Sequence, residues 1–168
     1  MKNDKLKEKE WSKSLNEIVQ SEKDQDIKLP VLLLDNNIEW EFEVFSNLES
    51  LINHSIFSHW SGITPIDSKL DAIVIDSKGL VFKIENDCYN KKLKIGYSYP
   101  KRFVGEISIS DLKKKISKGY KEYIEVFEPD FKNLIVSGME LINSSSTFYE
   151  IICLVENELN LEKLKNVG

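Results

Sequence analysis

The residues of this chain able to do chemistry are few, and their spacing decides little. His54 and His59 stand five apart, off helical register, with no cysteine or acidic cluster of zinc-ligand form beside them. Asp71, Asp76 and Glu85 flank neighbouring apolar runs, so three carboxylates around one sheet suggest a metal-dependent nuclease. The order Lys83-Ile84-Glu85, however, is reversed from the E-x-K arrangement such a site needs. A site assembled from distant residues around Trp60, His59 and Asp71 is the form an enzyme or nucleotide-handling domain would take here. No G-x-S-x-G, no H-E-x-x-H and no phosphate-binding glycine loop occurs, and only seven glycines are present. No cofactor is called for.

The most ordered chemical pattern is acidic. Between Ile38 and Val44 every second residue is apolar (Ile38, Trp40, Phe42, Val44) and the residues between are Glu39, Glu41 and Glu43. Alternation of period two predicts a strand with one buried face, which sets the three carboxylates roughly 7 Å apart along the other. Lys92 and Lys94, expected on a neighbouring strand, are the internal partners, each exposed pair worth about 0.2 to 1 kcal/mol. Left unanswered, the row is a landing surface for a cationic protein, and it serves encounter rate and register more than raw affinity.

Charge is segregated along the chain. The net charge is −5, but Asp35 to Asp87 holds ten acids against three bases. Cys88 to Lys121 holds ten bases against two acids, and the stretch from Glu122 onward nine acids against three bases. Lys113, Lys114, Lys115, Lys118 and Lys121 lie on one helical segment and suggest a phosphate-backbone contact. Against nucleic acid, 22 of the 23 basic residues are lysine, with Arg102 the exception, and arginine is the usual reader of guanine and phosphate. The nearby Tyr120 and Tyr123 fall on the apolar stripe, where core side chains belong.

Positioning these residues requires one domain of ordinary composition. With 168 residues, 41% apolar and 30% charged, the chain buries a core without metal or disulfide, and Cys88 and Cys153 are expected as free thiols. The longest uncharged apolar runs are far short of a membrane span, and the charged opening Met1-Lys2-Asn3-Asp4-Lys5 lacks a secretory apolar segment, so cytoplasmic residence is expected.

Leu6 to Lys23 predicts a helix whose stripe of Trp11, Leu15, Ile18 and Val19 rests on the main domain or forms a homodimer contact through Trp11, Leu15 and Ile18, the role of an oligomerisation module. Residues 1–26 are read as this helix and a hinge, and 27–168 as the domain proper. A first hairpin joins Ile27 to Leu34 with Ile38 to Phe45, and Pro30 argues for an edge position in its first arm. Ser46-Asn47-Leu48-Glu49 has the form of a capping box opening a short helix, followed by a loop from His54 to Pro65. A second hairpin runs from Leu70 to Ile75 and Leu80 to Glu85, with Gly79 at the left-handed turn position.

Leu93 to Tyr99 predicts a strand broken at Pro100, with a short extension at Arg102 to Ile107. Ser110 then caps a helix running to about Phe127. Phe131 to Ile142 predicts another helix, closed at Asn143 to Ser146. Thr147 to Val155, apolar and rich in β-branched and aromatic residues, predicts a central strand, and Asn160 to Asn166 a last helical turn. The sum is an α+β domain with a mostly antiparallel sheet of about six strands, helices on one face and an N-terminal helical arm.

Three stretches carry a resemblance: Ser46-Asn47-Leu48-Glu49-Ser50-Leu51, the hairpin from Asp71 to Ile84, and Gly105-Glu106-Ile107-Ser108-Ile109-Ser110-Asp111-Leu112. Over roughly residues 28 to 125 the chain resembles small bacterial immunity proteins of toxin and immunity systems. That resemblance implies a cytoplasmic, non-catalytic inhibitor that sits on a basic toxin domain, often a nuclease, and occludes its site. Glu39, Glu41 and Glu43 are the partner-binding residues expected from the alternation; the resemblance itself assigns none.

Overall fold

Val31-Leu32-Leu33-Leu34 is apolar at every position because both faces of its strand are covered. A computed structural model describes residues 2–22, 26–35, 42–60 and 72–159. Among them the order is α1 (Lys2–Ser21), β1 (Val31–Asp35), β2 (Phe42–Phe45), α2 (Leu48–Trp60), β3 (Ala72–Ile75), β4 (Leu80–Asn90), β5 (Ile95–Glu106), α3 (Ile109–Phe127), a 3-10 turn (Pro129–Phe131), α4 (Leu134–Ser144) and α5 (Phe148–Asn157). The strands form one antiparallel sheet ordered β2-β1-β3-β4-β5.

Alternate residues of β1 serve two cores. Val31 and Leu33 face a cluster with Leu15 and Ile18 of α1, Leu51, Ile52 and Ile56 of α2, and Tyr97 and Tyr99 of β5. Leu32 and Leu34 face the opposite cluster, built from Leu112, Ile116 and Ile124 of α3, Ile142 of α4, and Ile151 and Ile152 of α5. Helices therefore cover both faces of the sheet, where one covered face was expected. A strand buried on both sides reads as a continuous apolar run.

Pro30 lies just ahead of β1, outside the ladder, so β1 occupies an interior position and the edge assignment inferred from that proline is corrected. The proline that does lie inside a strand is Pro100, and β5 is terminal. An edge tolerates a residue without an N–H, so β5 runs on through Pro100, its register with β4 stepping from Tyr99–Glu85 to Arg102–Lys83.

The second hairpin forms as expected around Gly79, with φ of +84°. Its turn is held by Asp76, fully buried, whose carboxylate accepts from the backbone N–H groups of Lys28 at 3.0 Å, Lys78 at 2.8 Å and Leu80 at 2.9 Å. That carboxylate is committed to the fold and is no nuclease ligand.

Five strands are present among the described residues where about six were expected, because Thr147–Val155 is helix. Thr147 Oγ1 accepts from Glu150 N at 3.1 Å while the Glu150 carboxylate accepts from Thr147 N at 3.2 Å, a complete capping box. Ile151, Ile152 and Val155 then fall on one buried helical face. At the other proposed box, Asn47 rather than Ser46 caps α2, its Oδ1 accepting from Ser50 N at 2.8 Å, and the helix continues to Trp60 through the segment expected as loop. Ser108, two residues ahead of the expected Ser110, caps α3.

The N-terminal stripe is seated within the chain. Leu15 and Ile18 are buried, and Trp11 Nε1 donates to Asn53 Oδ1 of α2 at 2.9 Å. Burying two aliphatic side chains is worth about 3 to 6 kcal/mol, well above the fraction of a kcal/mol expected of the exposed Lys92–Glu17 pair at 2.8 Å. Apolar contact holds α1 down, and the surface expected for a dimer is occupied by the chain's own α2 and sheet. No helix among the described residues is long and apolar enough to cross a membrane.

Candidate partner-binding surface

Glu43 is the member of the acidic row that falls on a described strand; Glu39 and Glu41 lie outside the described residues. β2 is the terminal strand beyond β1, with Glu43 opposite Leu33 and Phe45 opposite Val31. Phe42 and Val44 pack toward α3 to α5, while Phe45 joins the core under α1 and α2. Glu43 shares the Phe45 side. It is therefore not on a bare sheet face, as the alternation alone implied, but on the helix-covered side at the sheet's margin, where its side chain is 48% exposed.

His54 of α2 stands over this margin. Its Nε2 lies 3.9 Å from Glu43 Oε2, and its ring tilts against Phe45 at a centroid distance of 6.1 Å. Between two half-exposed groups at that separation, an ion pair formed by the protonated imidazole is worth at most about 1 kcal/mol.

The expected lysine partners are elsewhere. Lys92 and Lys94 belong to the turn between β4 and β5, and Lys92 Nζ is paired with Glu17 of α1. β2 and β5 are opposite edges of the sheet, four strand spacings or about 19 Å apart, beyond the screening length of about 8 Å at physiological salt. The partner the structure gives Glu43 is His54, and the one it gives Lys92 is Glu17.

The remaining candidates are structural or incomplete. His59 and Trp60 fall in the last turn of α2, but their side chains, like Asp71, lie outside the described residues. Glu85, Asp87 and Cys88 bring ligand atoms within 4.8 Å of one another on the bulged part of β4. Burial, with the Glu22 carboxylate adding to it, pushes the Cys88 thiol up to about 11. On α3, Lys113 donates to the Asn143 carbonyl at 2.8 Å, Lys114 stands 3.5 Å from Asp111 and Lys121 3.9 Å from Glu125, as a solvated face does.

Sequence reasoning counted the acidic block from Glu122 onward but missed the surface it shares with exposed apolar groups. Glu122 to Leu159 carries eight acids and one base, Lys132, and the helices there also expose Val126, Phe127, Val136, Leu141 and Tyr149. Reading Thr147–Val155 as a buried strand hid it; the Thr147-x-x-Glu150 spacing was the signal that would have revealed it. Comparison with protein-family models, curated proteins and solved structures finds no match for this chain.

Proposed function

We propose that this chain is a non-catalytic binding protein of the immunity type, a cytoplasmic inhibitor whose acidic edge engages and occludes a basic toxin domain. The observation that carries the reading is Glu43, a carboxylate left half-exposed on the terminal strand β2, while the expected lysines lie in the β4–β5 turn and Lys92 is paired with Glu17. Glu39 and Glu41 precede it at the same two-residue spacing. A row of this kind raises the local concentration of a cationic partner and fixes its register on the edge. Between Asp35 and Asp87 the sequence holds ten acids against three bases, a balance that favours a cationic partner. The test is inhibition: a basic partner is recovered by co-purification from the native cell, and purified protein is titrated against that partner's toxin activity. Loss of inhibition in the variant with Glu39, Glu41 and Glu43 all changed to lysine, with the fold retained by circular dichroism, is the expected result.

A further inference from the structure

A shallow groove of about 330 Å³ opens between α4 and α5, lined by Leu141 and Ser144 on one side and Tyr149, Cys153, Leu154 and Asn157 on the other. Its volume is near the lower bound of about 300 Å³ for ligand pockets, and it is open along its length, a form suited to one or two anchoring side chains of a protein segment. Leu141 is 42% and Tyr149 55% exposed, so large apolar groups stand at its mouth. The surroundings are acidic: Glu140, Glu150 and Glu158 are exposed on the same two helices and the loop after them. The Glu150 carboxylate caps α5 by accepting from Thr147 N, and Lys113 of α3 reaches the end of α4, where it donates to the Asn143 carbonyl.

We propose that this groove docks the apolar face of a basic amphipathic helix belonging to a partner protein. The proposal rests on the reading of the chain as a binding protein and adds a surface and the partner's chemistry. Apolar anchors at helical spacing fill the groove, and lysine or arginine on the flanks meets the glutamates. A second copy presenting the same face is disfavoured, since two surfaces of like charge would meet.

Cys153 supplies a local readout, because it lines the groove while Cys88 is buried on the far side of the sheet. The full chain is alkylated with iodoacetamide with and without a designed leucine–lysine peptide of about 18 residues, roughly five helical turns, and modification of each cysteine is followed by mass spectrometry. At a peptide concentration about ten times its Kd, alkylation of Cys153 is expected to slow about tenfold. Protection should disappear in Leu141→Lys and weaken in the surface variant Glu158→Lys, which checks the charge requirement without disturbing packing, and should persist in Glu43→Lys. A leucine–glutamate peptide of the same spacing should give none.

Three results overturn the proposal: no protection by the basic peptide, equal protection by the acidic one, or protection that survives in both groove variants. Concentration-dependent shielding of Cys153 without peptide also overturns it, by making a second copy the occupant. Each leaves inhibition through the Glu43 edge separately readable.

Discussion

The Tyr97 hydroxyl of β5 donates to the Glu22 carboxylate at the end of α1, joining residues 75 positions apart. Lys101 Nζ lies 3.5 Å from the same carboxylate, whose side chain is only 12% exposed. A nearly buried charge with two partners is costly to strip of one. Tyr97→Phe is therefore expected to destabilise by about 1 to 3 kcal/mol, lowering Tm by roughly 2 to 4 °C per kcal/mol at this chain length. Lys92→Ala, removing an exposed pair with Glu17, should cost less than about 1 kcal/mol, and equal losses in the two variants by urea denaturation would contradict the account.

Stability should fall on the alkaline side. Burial pushes the Cys88 thiol up to about 11 and the Tyr99 phenol up to about 12, and raises Tyr97 too, with the Glu22 hydrogen bond adding to it. For an acid held protonated by the fold, the contribution is complete below the unfolded value, about 9 for the thiol and 10 for the phenols, and is lost as pH rises through the folded one. From these groups, Tm is expected to be level from pH 7 to near 9 and to drop between about 9 and 12. A Tm that stays level to pH 12 would show the three groups to be solvated.

The two capping assignments separate by mutation. Thr147→Ala and Asn47→Ala should each cost about 1 kcal/mol, in the usual 0.5 to 2 range for a lost cap, while Ser46→Ala should be neutral. Chemical denaturation of the three variants distinguishes them. A large effect at Ser46 with none at Asn47 would move the start of α2.

Gly138 packs α4 onto α3. A Cβ there would stand 2.3 Å from Tyr120 Cε1 and 2.8 Å from Cζ. Alanine gains up to about 1 kcal/mol of helix propensity over glycine, but overpacking costs about 1 to 3 kcal/mol, so Gly138→Ala should destabilise. The nearest atoms belong to the ring, so adding Tyr120→Phe should not rescue it, whereas Tyr120→Leu should recover part of the loss.

Much of the fold was legible because period and punctuation agreed. The Leu15 and Ile18 stripe reads as a helix, although the sequence leaves its seat, main domain or dimer, open; the turn at Gly79 is plain, and the helix from Leu112 to Ile124 reads as continuing through Gly119, as it does. Thr147–Val155 failed because a short apolar run of β-branched and aromatic residues suits a buried strand or a half-buried helix equally. The deciding feature was the cap, four atoms of hydrogen bonding, not hydrophobicity. Pro30 misled because a proline one position ahead of a strand removes nothing from its ladder. Within β2, alternation set Glu43 on the side away from Phe42 and Val44, but a local pattern carries no record of what covers that side. That depended on α2 lying over the sheet and placing His54 beside Glu43, a contact between separate elements.

The central claim, that an acidic edge attracts a basic partner, is tested most directly by the association rate with the basic partner recovered by co-purification, as a function of ionic strength. The rate for the unaltered protein should fall steeply with added salt and approach an unsteered value of about 10⁵ to 10⁶ M⁻¹s⁻¹, while the Glu39, Glu41 and Glu43 to lysine variant should start near that value or lower. A rate insensitive to salt, or one unchanged by the triple reversal, would contradict the account.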